Sequence, residues 1–261
     1  MPIWLGIGLS LLVAGLAYLL RALTVSGAAA ASVVGTVILA TTGWDGATVL
    51  GGYFFLASAV GRITSPLGPQ GADAKGETRD HWQVLANGGF AAVGSLAELA
   101  VPDLGYWLVT VILCAAAADT VATGVGGLSP RPPRDILRWG RVDRGASGGV
   151  TLFGSSAGVA AAALVSLVGA GMRPELARQL YPAAIAIGLF GMLADSVLGA
   201  SVQARFHCPS CGRDTERRVH RCGTASEHRG GWRWLDNDGV NALSTGLAGG
   251  LGLLWWLSLS R

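Results

Sequence analysis

The feature that most constrains this chain is a regular alternation of long apolar runs and short polar loops, in which almost all positive charge falls on every second loop. The runs lie at 3–20, 23–42, 47–60, 82–101, 106–123, 149–170, 181–203 and 239–259. Most approach the roughly 20 residues that a helix needs to cross a bilayer, the third being short and the seventh long. A segment surrounded by lipid has to satisfy its own backbone N–H and C=O groups, so each run is expected to be helical. The expected fold is all-α: a polytopic integral membrane protein of about eight transmembrane helices, with residues 1–261 forming one domain in the lipid bilayer. Composition agrees, since 51% of residues are apolar and 13% charged, more grease than a soluble core requires.

Threaded with the amino terminus outside, the chain places Arg21, the 62–79 loop, the loop with Arg131, Arg134, Arg138, Arg141 and Arg144, and the 204–237 loop on one side. The opposite side keeps Arg173, Arg178 and Arg261 of the 19 lysines and arginines. The positive-inside rule makes the charged side cytoplasmic and the expected location the inner (plasma) membrane, with nucleic acid not an expected partner. No basic residue precedes the first run and no small-residue cleavage site follows it, so it reads as a span and not as a removable leader. Trp4, Trp44, Trp82, Trp107, Trp139, Trp255 and Trp256 fall mostly near helix ends, as an aromatic belt would. Glu98 and Glu175 read as interfacial.

A weak echo links the two halves. Segments 21–28 and 144–149 both enter a rising helix through small residues, and 83–89 and 236–241 do the same with amides. This is the pattern of a parallel repeat about the membrane normal. The plainer alternative is that glycine and small polar residues are common wherever helices enter membranes.

Two carboxylates stand in matching contexts inside apolar helices, Asp119 in Ala-Asp-Thr-Val and Asp195 in Ala-Asp-Ser-Val. Each costs about 2.5 to 3.5 kcal/mol to insert. Together they could hold Mg²⁺, with Thr120, Ser196, water and phosphates completing an oxygen shell; a helix–helix hydrogen-bonded pair is the structural alternative. Gln83, Asn87, Asn237, Asp238 and Asn241 gather at the starts of two further helices. Their amides can orient phosphate or ribose, and Asp238 can add a metal ligand or a general base. N-capping explains Asn237 and Asp238 equally well. The entries at Ser26 and at Ser147, Gly148 and Gly149 expose N–H groups where a helix dipole is positive, which suits anions. Arg138, Arg141 and Arg144, just before the second entry, could clamp a triphosphate or merely set topology.

The 204–237 loop carries Cys208 and Cys211 in C-x2-C spacing, then His220 and Cys222 in H-x-C spacing. Thiolates and an imidazole so spaced can share one tetrahedral ion, and a closed set of four reads as structural Zn²⁺ in a loop inserted between helices 7 and 8. His228 is an alternative fourth ligand. A disulfide is not expected on a reducing face.

With these residues in place, the chain resembles the integral-membrane family that includes the phytyl-phosphate kinases of chlorophyll-phytol salvage and the animal transmembrane protein 19 group. The resemblance runs from Arg21 to Thr245 and rests on segments 83–88, 118–120, 122–123, 126–129, 145–154 and 194–200, the Cys-His loop, and Asn237-Asp238 with Asn241. It implies transfer of a phosphoryl group from a nucleoside triphosphate, CTP by likeness to polyprenol kinases, to an isoprenoid monophosphate of the phytyl or geranylgeranyl type. The family usually has glutamate where this chain has Gly124, so one carboxylate is missing from the pattern.

The expected activity is therefore a CTP- and Mg²⁺-dependent isoprenoid-phosphate kinase. Asp119, Asp195 and Asp238 are its candidate catalytic residues. Ser26, Gln83, Asn87, Thr120, Arg141, Arg144, Ser147, Gly148, Gly149, Ser196, Asn237 and Asn241 are the candidate substrate- and nucleotide-binding residues. A carrier of lipid phosphates or an inactive family member are the alternatives.

Overall fold

The computed structural model describes residues 3–67 and 78–259; Lys75 and Arg261, counted in the charge pattern, lie outside them. Among the described residues seven α-helices follow in order: α1 (Ile3–Leu19), α2 (Val25–Thr64), α3 (His81–Ser95), α4 (Leu104–Gly126), α5 (Leu152–Met172), α6 (Ala177–Ser201) and α7 (Asn237–Leu259). Of these, α2, α4, α5, α6 and α7 are long and apolar enough to cross a membrane, and α1 is a shorter apolar helix. The leucines and phenylalanines left exposed, such as Leu12, Leu16, Phe55, Leu152 and Leu164, form a surface too apolar for water and suited to lipid.

Two expectations change here. The helices expected separately at 23–42 and 47–60 form the two arms of α2. The chain turns back on itself at Gly43, whose φ of 68° and ψ of −155° are not helical and favour a residue without Cβ. That the arms fold together is shown at their far ends, where the Arg62 guanidinium donates to the Leu20 carbonyl at 2.6 Å. The helix expected over 82–101 stops at Ser95 and passes through a 3-10 turn, Leu96–Leu99, which frees Glu98 to turn inward.

The fold is also not purely helical. β1 (Arg134–Asp135) and β2 (Gly149–Val150) pair antiparallel, and the long loop before α7 carries a three-stranded antiparallel sheet. Its strands are β3 (Arg205–Cys208), β4 (Arg213–Thr215) and β5 (Glu227–Gly230), in the order β4-β3-β5. Short strands that lie in water beyond the bilayer escape the rule that lipid imposes on the spans.

The bundle is assembled around α4. From Leu104 to Ala118 every residue of this helix is buried, as expected of a helix apolar on all faces. Its alanines let neighbours approach closely: a Cβ at Gly158 of α5 would sit 2.7 Å from the Ala118 carbonyl, and one at Gly188 of α6 would sit 3.2 Å from the Cys114 carbonyl. Such contact, rather than transfer out of water, holds helices together in lipid. Trp107 belongs to this core and not to an aromatic belt: it is fully buried and its indole N–H donates to the Gly252 carbonyl at 3.0 Å.

The two ends of the bundle differ. At one end Arg173 donates to Asp45 at 3.0 Å and to Glu98 at 2.9 Å, pairs with Asp103, and lies 4.3 Å from the centre of the Tyr106 ring. Glu98 is thus a half-buried ion-pair partner, not a free interfacial acid. Burial works against the guanidinium's charge there, but the bonds to Glu98 and Asp45 outweigh it and hold its pKa above the usual range. At the other end lie the starts of α3, α5 and α7, the ends of α2, α4 and α6, and the loops with Arg131 to Arg144 and Arg205 to Arg233.

Candidate functional site

That second end encloses a cavity of about 1050 Å³. It is walled by the last turns of α2, α4 and α6, the first turns of α3, α5 and α7, and the loops between them. Of the predicted site residues, it brings together Gln83, Asn87, Asp119, Thr120, Arg144, Ser147, Gly148, Gly149, Asp195, Ser196, Asn237 and Asn241. These come from positions far apart in sequence, and the placement follows from each helix ending or starting at this face.

Asp119 and Asp195 meet on α4 and α6, close enough for each carboxyl to influence the other. Both are half-buried because one side of each faces the cavity. Asp195 also accepts from the Ser244 hydroxyl at 3.2 Å. Opposite them, Asp80 and Gln83 form a capping box at the start of α3, and the Asn87 amide donates to the Gln83 carbonyl at 2.9 Å. These bonds hold the two amides against the cavity instead of leaving them to swing freely.

The glycine-rich entry is placed differently from the expectation. α5 begins at Leu152, capped by Thr151, whose hydroxyl accepts from Gly154 N–H at 2.9 Å. Ser147, Gly148 and Gly149 precede it as a loop and the short strand β2, so they are not the first turn of a helix. Gly148 is needed for another reason: at φ 77°, a Cβ there would lie 2.4 Å from that of Ala200. The loop is thereby pressed onto the end of α6, beside Asp195. At the first entry Thr24 caps α2 in the same manner, accepting from Gly27 N–H at 3.0 Å, so Thr151, not Ser147, is its local counterpart.

Three predicted residues lie outside the cavity wall. Ser26 bonds Thr24 and His81 near the start of α2. Arg141 is exposed in the loop paired with Arg134. Asp238 is buried in the first turn of α7 but does not line the cavity. The capping bond expected of Asn237 or Asp238 is made by Asp236, which accepts from Gly239 N–H at 3.0 Å. Arg138 is also absent from the wall, so Arg144 alone of the proposed arginine clamp reaches it, its guanidinium donating to the Gly127 carbonyl at 3.1 Å.

Sequence reasoning missed Arg79, Glu216, Arg217 and Arg221, which also line the cavity. The last three come from the Cys-His loop, and Glu216 accepts from the Ser147 hydroxyl. The available signal was the crowding of charge between Cys211 and Cys222. The predicted metal ligands of that loop do converge: Cys208, Cys211, His220 and Cys222 offer donor atoms that all lie within 4.8 Å of one another. The Cys222 thiol, contacted by Thr224 and His220, is pushed down to about 5.

A second, apolar cavity of about 170 Å³ lies between α1, α2 and α3. Leu9, Val13, Leu23, Val34, Leu50 and Phe54 are among the side chains that line it, and it shares Arg79, Gln83 and Asn87 with the polar cavity. A polar chamber and an apolar one therefore meet at three hydrogen-bonding side chains.

Comparison with known proteins bears on the whole chain. The model of the family described as "Integral membrane protein DUF92" matches residues 8–249. A Methanocaldococcus jannaschii protein, "Uncharacterized membrane protein MJ0933", is 32% identical over 69% of this chain and 74% of its own length. "Protein PGR" of Arabidopsis thaliana is 30% identical over 90% of each chain. A Synechocystis protein, "Uncharacterized membrane protein sll0875", is 28% identical over 89% of this chain and 82% of its own. No solved structure matches it.

Proposed function

The chain belongs to the DUF92 family of integral membrane proteins, and from the site it builds we propose that it is a phosphotransferase acting on a lipid phosphate. It moves a phosphoryl group from a nucleoside triphosphate, CTP in the first instance, to an isoprenoid monophosphate of the phytyl or geranylgeranyl type. The observation that carries this reading is the junction of the two cavities at Arg79, Gln83 and Asn87. An amphiphile with a phosphate head and a hydrocarbon tail suits a polar chamber and an apolar one that share these three side chains.

The part of the cavity wall that holds Asp119 and Asp195 offers oxygen donors, from the two carboxylates, Thr120, Ser196, Ser147 and Glu216, the chemistry that suits Mg²⁺. Bound there, Mg²⁺ would neutralise charge on the transferring phosphates. The protein's own part is positioning. Arg79 and the Asn87 amide hold the acceptor phosphate at the mouth of the apolar cavity, while Arg144, Arg217 and Arg221 bind donor phosphates. An acceptor oxygen then attacks the terminal phosphorus, the bond to the bridging oxygen breaks, and the nucleoside diphosphate leaves.

Every helix that walls the polar cavity does so with the turns at one end of the bundle, and the far end is closed by the buried length of α4 and the Arg173 cluster. That favours an enzyme over a carrier, which needs access from both sides. The concentration of arginine at the cavity end supports a cytoplasmic orientation for it by the positive-inside rule, and the plasma membrane is the location proposed. Purified protein incubated with CTP, Mg²⁺ and phytyl or geranylgeranyl phosphate is expected to yield the isoprenoid diphosphate. No diphosphate with CTP or ATP, together with uptake of the lipid phosphate into liposomes, overturns the proposal in favour of transport.

A further inference from the structure

The segment that brings Glu216, Arg217 and Arg221 to the cavity wall has almost nothing apolar to hold it. Between Arg205 and Gly230 the buried apolar side chains are Phe206 and Cys208. Two hydrophobic residues cannot order about two dozen, because fixing each backbone unit costs roughly 1–2 kcal/mol. Something else must fasten this loop.

The loop contains two tight turns, each presenting two soft donors. In the first, Gly212 at φ 64° donates its N–H to the Cys208 carbonyl at 2.9 Å, so that Cys208 and Cys211 point the same way. In the second, Gly223 at φ 85° donates to the His220 carbonyl at 2.9 Å and does the same for His220 and Cys222. The turns face each other. Cys208 Sγ lies 3.6 Å from Cys222 Sγ, and His220 Nδ1 lies 3.1 Å from the same sulfur. Zinc at about 2.3 Å from each sulfur makes the edges of a tetrahedron near 3.8 Å, slightly shorter to an imidazole nitrogen. The two separations at Cys222 Sγ, and the 4.8 Å within which all four donors lie, gather them at about that size. The sulfurs are too far apart for a disulfide, whose bond is about 2.05 Å, and all four cysteines of the chain are free.

From this geometry we infer that Cys208, Cys211, His220 and Cys222 bind one structural Zn²⁺, and that this ion is the strut that holds the cavity's loop-borne wall in place. Residues 212–219 run from one turn to the other. The ion therefore pins both ends of the stretch that contains Glu216 and Arg217, with Arg221 lying between two of its ligands. With three thiolates and an imidazole the site is closed, so the role is structural and not catalytic. The assignment stands on donor geometry alone and does not depend on the phosphotransferase reading.

Full-length protein purified in detergent without chelator is expected to carry about one zinc per chain by elemental analysis, against less than about a tenth in Cys208→Ser and Cys222→Ser. His220→Cys, which keeps a tetrahedral set, is expected to retain the metal. Stripping zinc from the wild-type protein is expected to raise tryptic cleavage after Arg217, Arg218 and Arg221 at least about tenfold while sites in the 131–144 loop are unchanged, as local opening of a metal-pinned loop requires. Wild-type protein that is zinc-free yet resists cleavage in this loop overturns the site. Zinc present, with unchanged cleavage after its removal, overturns the strut. Both readouts are independent of activity, so a protein that proves not to be a kinase leaves the inference testable.

Discussion

Replacing Asp195 by asparagine separates a functional acid pair from a structural one, because the two readings predict opposite signs for stability. Asp119 and Asp195 lie close together on neighbouring helices. In the metal-site reading both are ionised, and two unit charges about 4 Å apart repel by roughly 4 kcal/mol at an effective dielectric constant near 20. Water in the cavity they face reduces that, leaving about 1 kcal/mol to be relieved when one charge is removed. Asparagine keeps the shape and still accepts from the Ser244 hydroxyl that lies 3.2 Å from Asp195, so little packing is lost. Asp195→Asn is thus expected to unfold about 2–4 °C higher than the parent in the absence of Mg²⁺, the shift that 1 kcal/mol gives in a chain of this size. Turnover should fall by about 10² to 10³, the loss typical when one charge-stabilising group is removed. Thermal unfolding and turnover are measured on the same detergent preparation, with and without Mg²⁺. A variant that is destabilised by more than about 2 kcal/mol and turns over normally would show that the pair is a helix–helix hydrogen bond, and the metal assignment would fail.

Arg173→Leu leaves Asp45, Glu98 and Asp103 without their shared cation. Asp45 and Asp103 are 33% and 38% exposed and can be solvated, but Glu98 is 14% exposed, so a loss of about 3 kcal/mol is expected in thermal unfolding, with site function spared; a loss under about 0.5 kcal/mol would show the cluster to be solvated. Glu216→Gln should lower turnover at least about tenfold, and turnover unchanged from the parent would show that the carboxylate brought in by the Cys-His loop plays no part in the cavity's chemistry.

How much of this was legible depends on the range of the interactions involved. The long apolar helices were readable because lipid imposes a local rule that each must satisfy alone, but the number of spans was not: among the described residues five helices are long and apolar enough to cross, against about eight expected. Asp119 and Asp195 stood out for the same reason: a charge in an apolar helix is anomalous whatever surrounds it. Gly43 was not legible as a hairpin, since one glycine among 40 does not announce a positive φ. Nor was the fate of Trp107, which sits near a helix end in sequence but is packed from all sides in space. The arginine clamp does not assemble as expected because proximity in sequence is not proximity to the site. Arg138 and Arg141 lie outside the wall, while Arg217 and Arg221 reach it from more than 70 residues further along the chain.

Gly124 sharpens that last point. The kinase resemblance leads one to expect a glutamate at this position, and its absence raised the alternative of an inactive member. The backbone there lines the cavity, but a Cβ would sit 3.0 Å from Thr64 Oγ1 and 3.2 Å from Val60 Cγ1, so α4 and the second arm of α2 pack too closely here to take a larger side chain without shifting. A carboxylate still reaches the chamber. Glu216 enters from the Cys-His loop, accepts from Ser147 and acts electrostatically on Asp195. Chemistry at a cavity depends on which groups point into it and not on which element supplies them. The loss at 124 is therefore not by itself a reason to expect an idle site. If Glu216 serves in its place, the acid depends on a loop with little core of its own, and loading of the Cys-His site becomes a condition for a complete cavity.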